Sequence, residues 1–209
     1  MPLKRERLIT QPEPQPIEGA KADATRSRIL DAALGIFSRK GYHDTRMDDI
    51  VTEAGNSKGA IYFHFPNKEH LFLALVDQFA NLLERRIEDA IADENAGMDR
   101  VRVALEVCLD TFGKYRHPAK LLLVQAVGLG VAFEARRNAG YARFARLIAH
   151  HLDEAIALKH IPPVDSEVIS WAWMGAIYAL VIRWVTEGEP KPKRIIESLV
   201  PALLRSVGG

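Results

Sequence analysis

The chain has 209 residues, of which 48% are hydrophobic and 26% charged, with a formal net charge of +1. That apolar content supports one or two packed domains and excludes global disorder, while near-neutrality excludes a uniformly basic surface, so a polyanion site has to be a local patch. The single cysteine, Cys108, excludes an intrachain disulfide framework or a cysteine zinc site and points to a reducing cytoplasm.

Residues 1–24 carry Pro2, Pro12, Pro14 and Pro16 with almost no hydrophobic periodicity, which predicts a disordered arm. They lack the continuous apolar core of a signal peptide. Lys4, Arg5 and Arg7 leave two readings of this arm, a plain tail or a strand that touches phosphates or a minor groove. A helix is predicted from about Thr25 to Lys40: Ile29, Ala33 and Phe37 recur every fourth residue beside Leu30 and Leu34, and Gly41 ends it.

Residues 45–68 read TRMDDIVTEAGNSKGAIYFHFPNK. Thr45 and Asp48 fit a capping box that opens a short helix. Ile50 and Ala54 share its inner face, and Gly55 ends it in a left-handed conformation. Ser57 caps a second short helix, with Ile61 and Phe65 four apart on its buried side. Lys58, Tyr62 and His64 project elsewhere, and no acidic residue lies between Glu53 and Glu69 to repel a polyanion. This is the layout of a helix-turn-helix whose second helix enters a DNA groove. Lys58 suits guanine acceptors or phosphate, and the hydroxyl of Tyr62 suits phosphate. Phe63 fits a core position and a groove wall equally, and His64 fits a groove contact or an ordinary surface position.

Asn67 caps a long helix over about Lys68 to Asp93, with Leu71, Leu75, Phe79, Leu82, Leu83 and Ile87 facing inward, a lever between two domains. Further helices are predicted at about 98–116, 118–128, 132–159, 164–187 and 191–206, separated by His117-Pro118, Gly128 and Gly130, Pro162-Pro163, and Gly188 through Pro192. With no sustained period of two, the fold class is all-α. The division is an arm at 1–24, a three-helix DNA-binding domain at 25–70 with its turn motif at about 45–65, and a helical ligand-binding and dimerisation domain at 71–209.

Within the last part, Leu105, Cys108, Leu109, Phe112, Gln125, Tyr141, Phe144, Trp171 and Tyr178 suit the lining of a cavity for a mostly hydrophobic molecule, with plain core filling as the alternative. Arg136 and Arg137 fit either a solvated helix face or a partner for an anionic head group, such as a carboxylate or the phosphates of an acyl thioester. The apolar run from Trp171 to Ile182 is shorter than the roughly twenty residues of a membrane span. Its helix is apolar nearly all round and so needs two covering surfaces, its own core and a second copy of itself, unless a monomer buries it fully. Gly175 and Ala176 permit close approach, and a terminal helix bearing Ile195, Ile196, Leu199, Leu203 and Leu204 completes a four-helix homodimer interface. His150 and His151 point about 100° apart on a helix, so a metal shared with Asp153 is not expected. No phosphate-cradling glycine loop, HExxH or nucleophile elbow occurs, which argues against an enzyme and against a resident cofactor.

Residues from about 25 to 75, RSRILDAALGIFSRKGYHDTRMDDIVTEAGNSKGAIYFHFPNKEHLF, resemble the TetR/AcrR family of bacterial transcription regulators. The marks are AA before a phenylalanine, KGY, a Thr-capped second helix, the AG turn, SKGAIY-x-HF and P-N-K-E. The resemblance implies an all-helical homodimer with amino-terminal domains on double-stranded DNA and carboxy-terminal domains that dimerise and hold a small ligand. It puts Lys58, Tyr62 and His64, in the segment with Ser57 and Ala60, at DNA-contacting positions. It also puts Thr45 and Arg46 where backbone phosphates are gripped, and Lys68 where its ammonium and a helix N-terminus favour a phosphate. Asn56 and Ala60 depart from a usual valine and threonine, and the Ala60 methyl can meet thymine. The implied function is a cytoplasmic, ligand-responsive regulator, most simply a repressor. It would bind a palindromic operator and be released by a small hydrophobic effector such as a fatty-acyl thioester. The competing readings are a helical cofactor- or metabolite-binding enzyme and an architectural DNA-binding protein without effector.

Overall fold

The computed structural model describes residues 18–125 and 128–208, and among them every regular element is helical. α1 spans Glu18–Lys40, starting upstream of the expected Thr25 because the EGAKADA run ahead of the apolar stripe is itself helix-forming. The expected proline-rich arm lies, up to residue 17, outside the described residues.

α2 (Met47–Ala54) begins one residue later than the sequence suggested. Arg46 is its N-cap, and the backbone N–H of Arg46 donates to Asp49 Oδ2 at 2.9 Å, so the reciprocal bond uses Asp49 and not Asp48. Gly55 then takes φ 62° and ψ 23°, the left-handed turn that only glycine adopts without strain. α3 (Lys58–His64) is capped by Ser57, whose Oγ accepts from the N–H of Ala60 at 3.2 Å, and α4 (Lys68–Ile91) by Asn67, whose Oδ1 accepts from His70 at 2.9 Å.

α5 runs Met98–Lys114. The single helix expected at 118–128 is instead a short α6 (Arg116–Lys120) that widens into a π-helical turn, Leu121–Gln125. α7 (Val131–Ala157), α8 (Ser166–Glu187) and α9 (Pro192–Ser206) follow.

Apolar burial falls into a core around α1–α3 and the start of α4, and a larger core among α5, α7, α8 and α9. In the first, Phe72 meets Phe37 and Tyr42 edge-on, with centroids 5.3 and 5.0 Å apart. α4 joins both regions: Leu71, Phe72 and Leu75 belong to the first core, while Leu83, Ile87 and Ile91 pack on Ala104 of α5. The first core also takes in Leu121 and Leu122 of the π turn and Phe133 of α7, whose ring lies 5.9 Å from Phe72.

α8 buries Trp173, Ile177, Val181, Trp184 and Val185. It is long and apolar enough to cross a bilayer, yet this face is built into the protein core. Its outer side leaves Val168 61% and Trp171 46% exposed, with the small residues Ala172, Gly175 and Ala179 also exposed.

Candidate nucleic-acid interface and its coupled cavity

α3 has seven residues, too few to be stable alone, so its orientation is set by what it buries. Ile61 and Phe65 are 0% and 3% exposed. With those two inward, the 100° step of the helix turns Lys58, Tyr62 and Phe63 to solvent. Phe63, which the sequence could place in core or groove, is 83% exposed. Lys58 Nζ lies 2.8 Å from Asp48 Oδ1 and 6.0 Å from the Tyr62 ring centroid, and the bond to Asp48 holds its ammonium above the usual amine range. Arg46 and Ser57 are exposed beside this face, and Ala60 and His64 are half-buried on it.

Two expected DNA contacts are corrected. The Thr45 side chain is buried, and its hydroxyl donates to the carbonyl of Gly41 at 2.6 Å, closing the turn after α1 in place of gripping a phosphate. Lys68 Nζ donates to the carbonyls of Tyr42 at 2.7 Å, Thr45 at 2.9 Å and His43 at 3.2 Å, and lies 4.4 Å from the Tyr42 ring centroid. All three of its N–H donors are committed, and burial lowers its pKa from the usual amine value. Lys68 is a clamp: it fixes the first residue of α4 to the loop that leads into α2.

Beyond α4 lies a cavity of about 390 Å³ walled by α4, α5, the π turn, α7 and α8. Of the expected lining, Cys108, Phe112, Tyr141, Phe144 and Tyr178 stand on its wall. Leu105 and Leu109 do not: one turn apart on α5, they turn into the larger core while Cys108 and Phe112 face the cavity. Trp171 is on the open side of α8, two turns before Tyr178, and Gln125 ends the π turn with its side chain outside the described ones. The sequence reading missed Phe79 and Leu83 of α4 and Phe133 of α7 as lining. The signal was their place on faces that serve two neighbours. Burial pushes the Cys108 thiol up to about 12, so it is protonated and counts as apolar wall.

Two ion pairs flank this cavity between α4 and α7: Arg136 Nη1 with Asp77 Oδ2 at 3.1 Å and Arg143 Nη1 with Glu84 Oε2 at 3.1 Å. The pairs are two turns apart on both helices. Elsewhere on α7, His150, His151 and Glu154 bring their ligating atoms within 4.8 Å of one another, whereas Asp153 is exposed and outside the group. The Glu154 carboxylate is already engaged, 2.7 Å from His151 Nδ1 and 3.8 Å from Arg100 Nη1.

Residues 29–75 match the model of the family described as bacterial regulatory proteins, tetR family. Over these residues the chain carries the amino-terminal region characteristic of TetR-family regulators. The transcriptional activator FasR of Mycolicibacterium smegmatis is 34% identical over 88 residues, which span 42% of this chain and 40% of FasR. The transcriptional repressor SCO4008 of Streptomyces coelicolor is 28% identical over 146 residues, 68% of this chain and 72% of that protein. In fold, FadR of Bacillus subtilis in complex with stearoyl-CoA is similar with a TM-score of 0.77 at 19% identity, covering 87% of this chain and 98% of FadR.

The helix-turn-helix is thus of the DNA-binding, transcription-regulating kind, and α3 is its second helix. The Lys68 clamp gives this module a specific weakness. Replacing Lys68 by Met leaves three carbonyls without their donor and is expected to cost about 1.5–3 kcal/mol, the range for hydrogen bonds from a charged group. Thermal unfolding checks this, and a melting temperature equal to wild type would refute the clamp.

Proposed function

We propose that the protein is a ligand-responsive repressor that binds a palindromic operator as a homodimer and releases it when a small lipophilic effector fills the cavity. The observation that carries this reading is that one helix, α4, borders both the recognition module and the cavity. Leu122 and Phe133 serve both places as well, lining the cavity and packing in the core that aims α3. Repression is favoured over activation because the SCO4008 match extends well beyond the helix-turn-helix, whereas the FasR match covers less than half of either protein. An acyl thioester is a fitting effector class because the similar fold of FadR holds stearoyl-CoA.

Two recognition helices would enter successive major grooves, roughly 34–36 Å apart. Filling the cavity would move α4 relative to α7 and set the two heads at the wrong separation. A coupling of about 1–3 kcal/mol changes operator affinity by roughly 5–150-fold. Among the matched proteins named above, each is a regulator by its description, which disfavours the enzyme alternative.

Selection of random duplexes with purified protein tests the reading directly. It should return a two-fold symmetric sequence, and Lys58→Ala should weaken binding to it by about 1–3 kcal/mol if Lys58 reads a base. A uniform loss on scrambled DNA with a shallower salt slope would assign Lys58 to phosphate. No enrichment of any duplex at low ionic strength would refute DNA recognition by α3.

The proposed dimer would use the outer side of α8, a reading supported by the exposed Val168 and Trp171 and by Gly175, where a Cβ would meet nothing within 4 Å of its own chain. Gly175→Leu should therefore leave the monomer fold intact and separate the dimer in sedimentation. An unchanged dimer would rule out this face.

The ion pairs between α4 and α7 supply the third expectation. The double change Asp77→Asn and Glu84→Gln releases α4 from Arg136 and Arg143. It should lower operator affinity in the absence of any effector, by up to about thirtyfold, since two partly exposed pairs contribute at most about 1 kcal/mol each. Operator titration equal to wild type would remove these pairs from the coupling.

A further inference from the structure

Three of the cavity-wall residues carry a buried polar atom without a hydrogen-bond partner among the described residues: Arg137 Nε, Tyr141 Oη and Arg143 Nε. Buried donors are almost always satisfied, since leaving one unpaired forfeits its hydration for nothing. Arg143 ties α7 to Glu84 of α4, whereas the ion pair of Arg137 is with Glu134 on its own helix and leaves it off the α4 contact. Arg137 and Tyr141 stand four residues apart on α7, hence one above the other on the same helix face.

Their surroundings fix them in place. The Tyr141 ring meets Tyr178 edge-on at 5.4 Å, and burial, with the nearby Tyr178 hydroxyl, raises its phenol pKa above the usual value, although the two hydroxyls are not in hydrogen-bonding geometry. The Arg137 guanidinium sits 6.0 Å from the ring centroids of Phe133 and Tyr141, and its outer nitrogen pairs with Glu134, which leaves Nε–H as the unpaired inner donor. The same wall carries Phe79, Leu83, Phe112, Phe144, Met174 and Val181, with Asp77, Arg136, Arg143 and Arg146 as its other charged members. A cation and a hydroxyl donor beside a largely hydrocarbon-lined space suit an apolar chain that ends in an acceptor oxygen.

We propose that Arg137 and Tyr141 form a two-point anchor for the acyl oxygen of a chain-like effector, the carboxylate of a free acid or the carbonyl of a thioester. The chain lies along the aromatic and aliphatic wall, and amines or plain alcohols of equal length are discriminated against. This rests on the reading of the cavity as the effector site. Arg137 N–H and Tyr141 O–H both donate to the same oxygen-bearing end, so an ammonium, which has only donors, leaves both unsatisfied and adds like charge.

The test uses the full chain and displacement of the neutral fluorophore N-phenyl-1-naphthylamine by decanoic acid, decanoyl-CoA, 1-decanol and decylamine. For the wild type, at least one acyl ligand should displace the dye at a concentration about tenfold or more below that needed for decanol or decylamine, in line with charge-assisted donors. Decanoic acid acting alone identifies a carboxylate, and decanoyl-CoA acting alone identifies a thioester carbonyl. The variant Tyr141→Phe, and the pair Glu134→Gln with Arg137→Met, which leaves no unmatched charge, should each reduce that preference while still taking up the dye. Equal displacement by all four ligands, or an unchanged acyl preference in both variants that still bind dye, overturns the anchor but leaves the cavity reading standing. If the wild type takes up neither dye nor any chain, the cavity reading itself fails and the anchor falls with it.

Discussion

The structure depends on α4 being a single uninterrupted helix that is buried at both ends in different company. Leu71, Phe72 and Leu75 are held by α1, α2 and α3, and Leu83, Ile87 and Ile91 by α5. A helix is stiff along its axis, so a displacement imposed at one set of contacts arrives at the other. The Lys68 ammonium makes the amino-terminal end of this lever rigid, because three carbonyls from the loop before α2 converge on one charge. Whatever moves α4 also moves the turn from which the recognition module hangs.

The opposite side of the lever is held far more lightly. Asp77 and Glu84 reach Arg136 and Arg143 in partly exposed ion pairs, each contributing no more than about 1 kcal/mol. The cavity next to them is about 390 Å³, of a size that small-molecule sites commonly have. A firm joint at the helix-turn-helix and a soft joint at the cavity suit the proposed switch, which would change state for about 1–3 kcal/mol. Joints equally firm at both ends would resist any effector, since a ligand shifts an equilibrium only by its differential affinity for the two states.

Much of this was legible in the chain because local chemistry governs it. Gly55, Ser57 and Asn67 punctuate the helices where expected, since each acts on backbone groups within three residues. Thr45 and Lys68 were misread for one shared reason. Both look like exposed polar residues at helix starts, and what occupies them is the carbonyl set of a loop that ends α1, up to 26 residues away. The same holds for Leu105 and Leu109 against Cys108 and Phe112: apolar spacing on α5 shows which residues are inward, not which of two inward surfaces each meets. The π turn at Leu121–Gln125 gave no sign in the sequence, because an extra residue per turn follows from packing against the first core and not from composition.

That π turn explains how a seven-residue recognition helix comes to have a fixed direction. α3 owns only two buried anchors, Ile61 and Phe65, and a cap at Ser57. Its aim is therefore a property of the core that receives those anchors. Leu121 and Leu122, which the π turn brings inward, and Phe133 of α7 sit in that same core beside Phe72. Because Leu122 and Phe133 also line the cavity, a molecule entering there contacts two of the side chains against which the module is packed. Close-packed interiors do not absorb such displacement by compression, so under the proposed effector binding it would pass to α4 and, through it, to the module that presents Lys58, Tyr62 and Phe63.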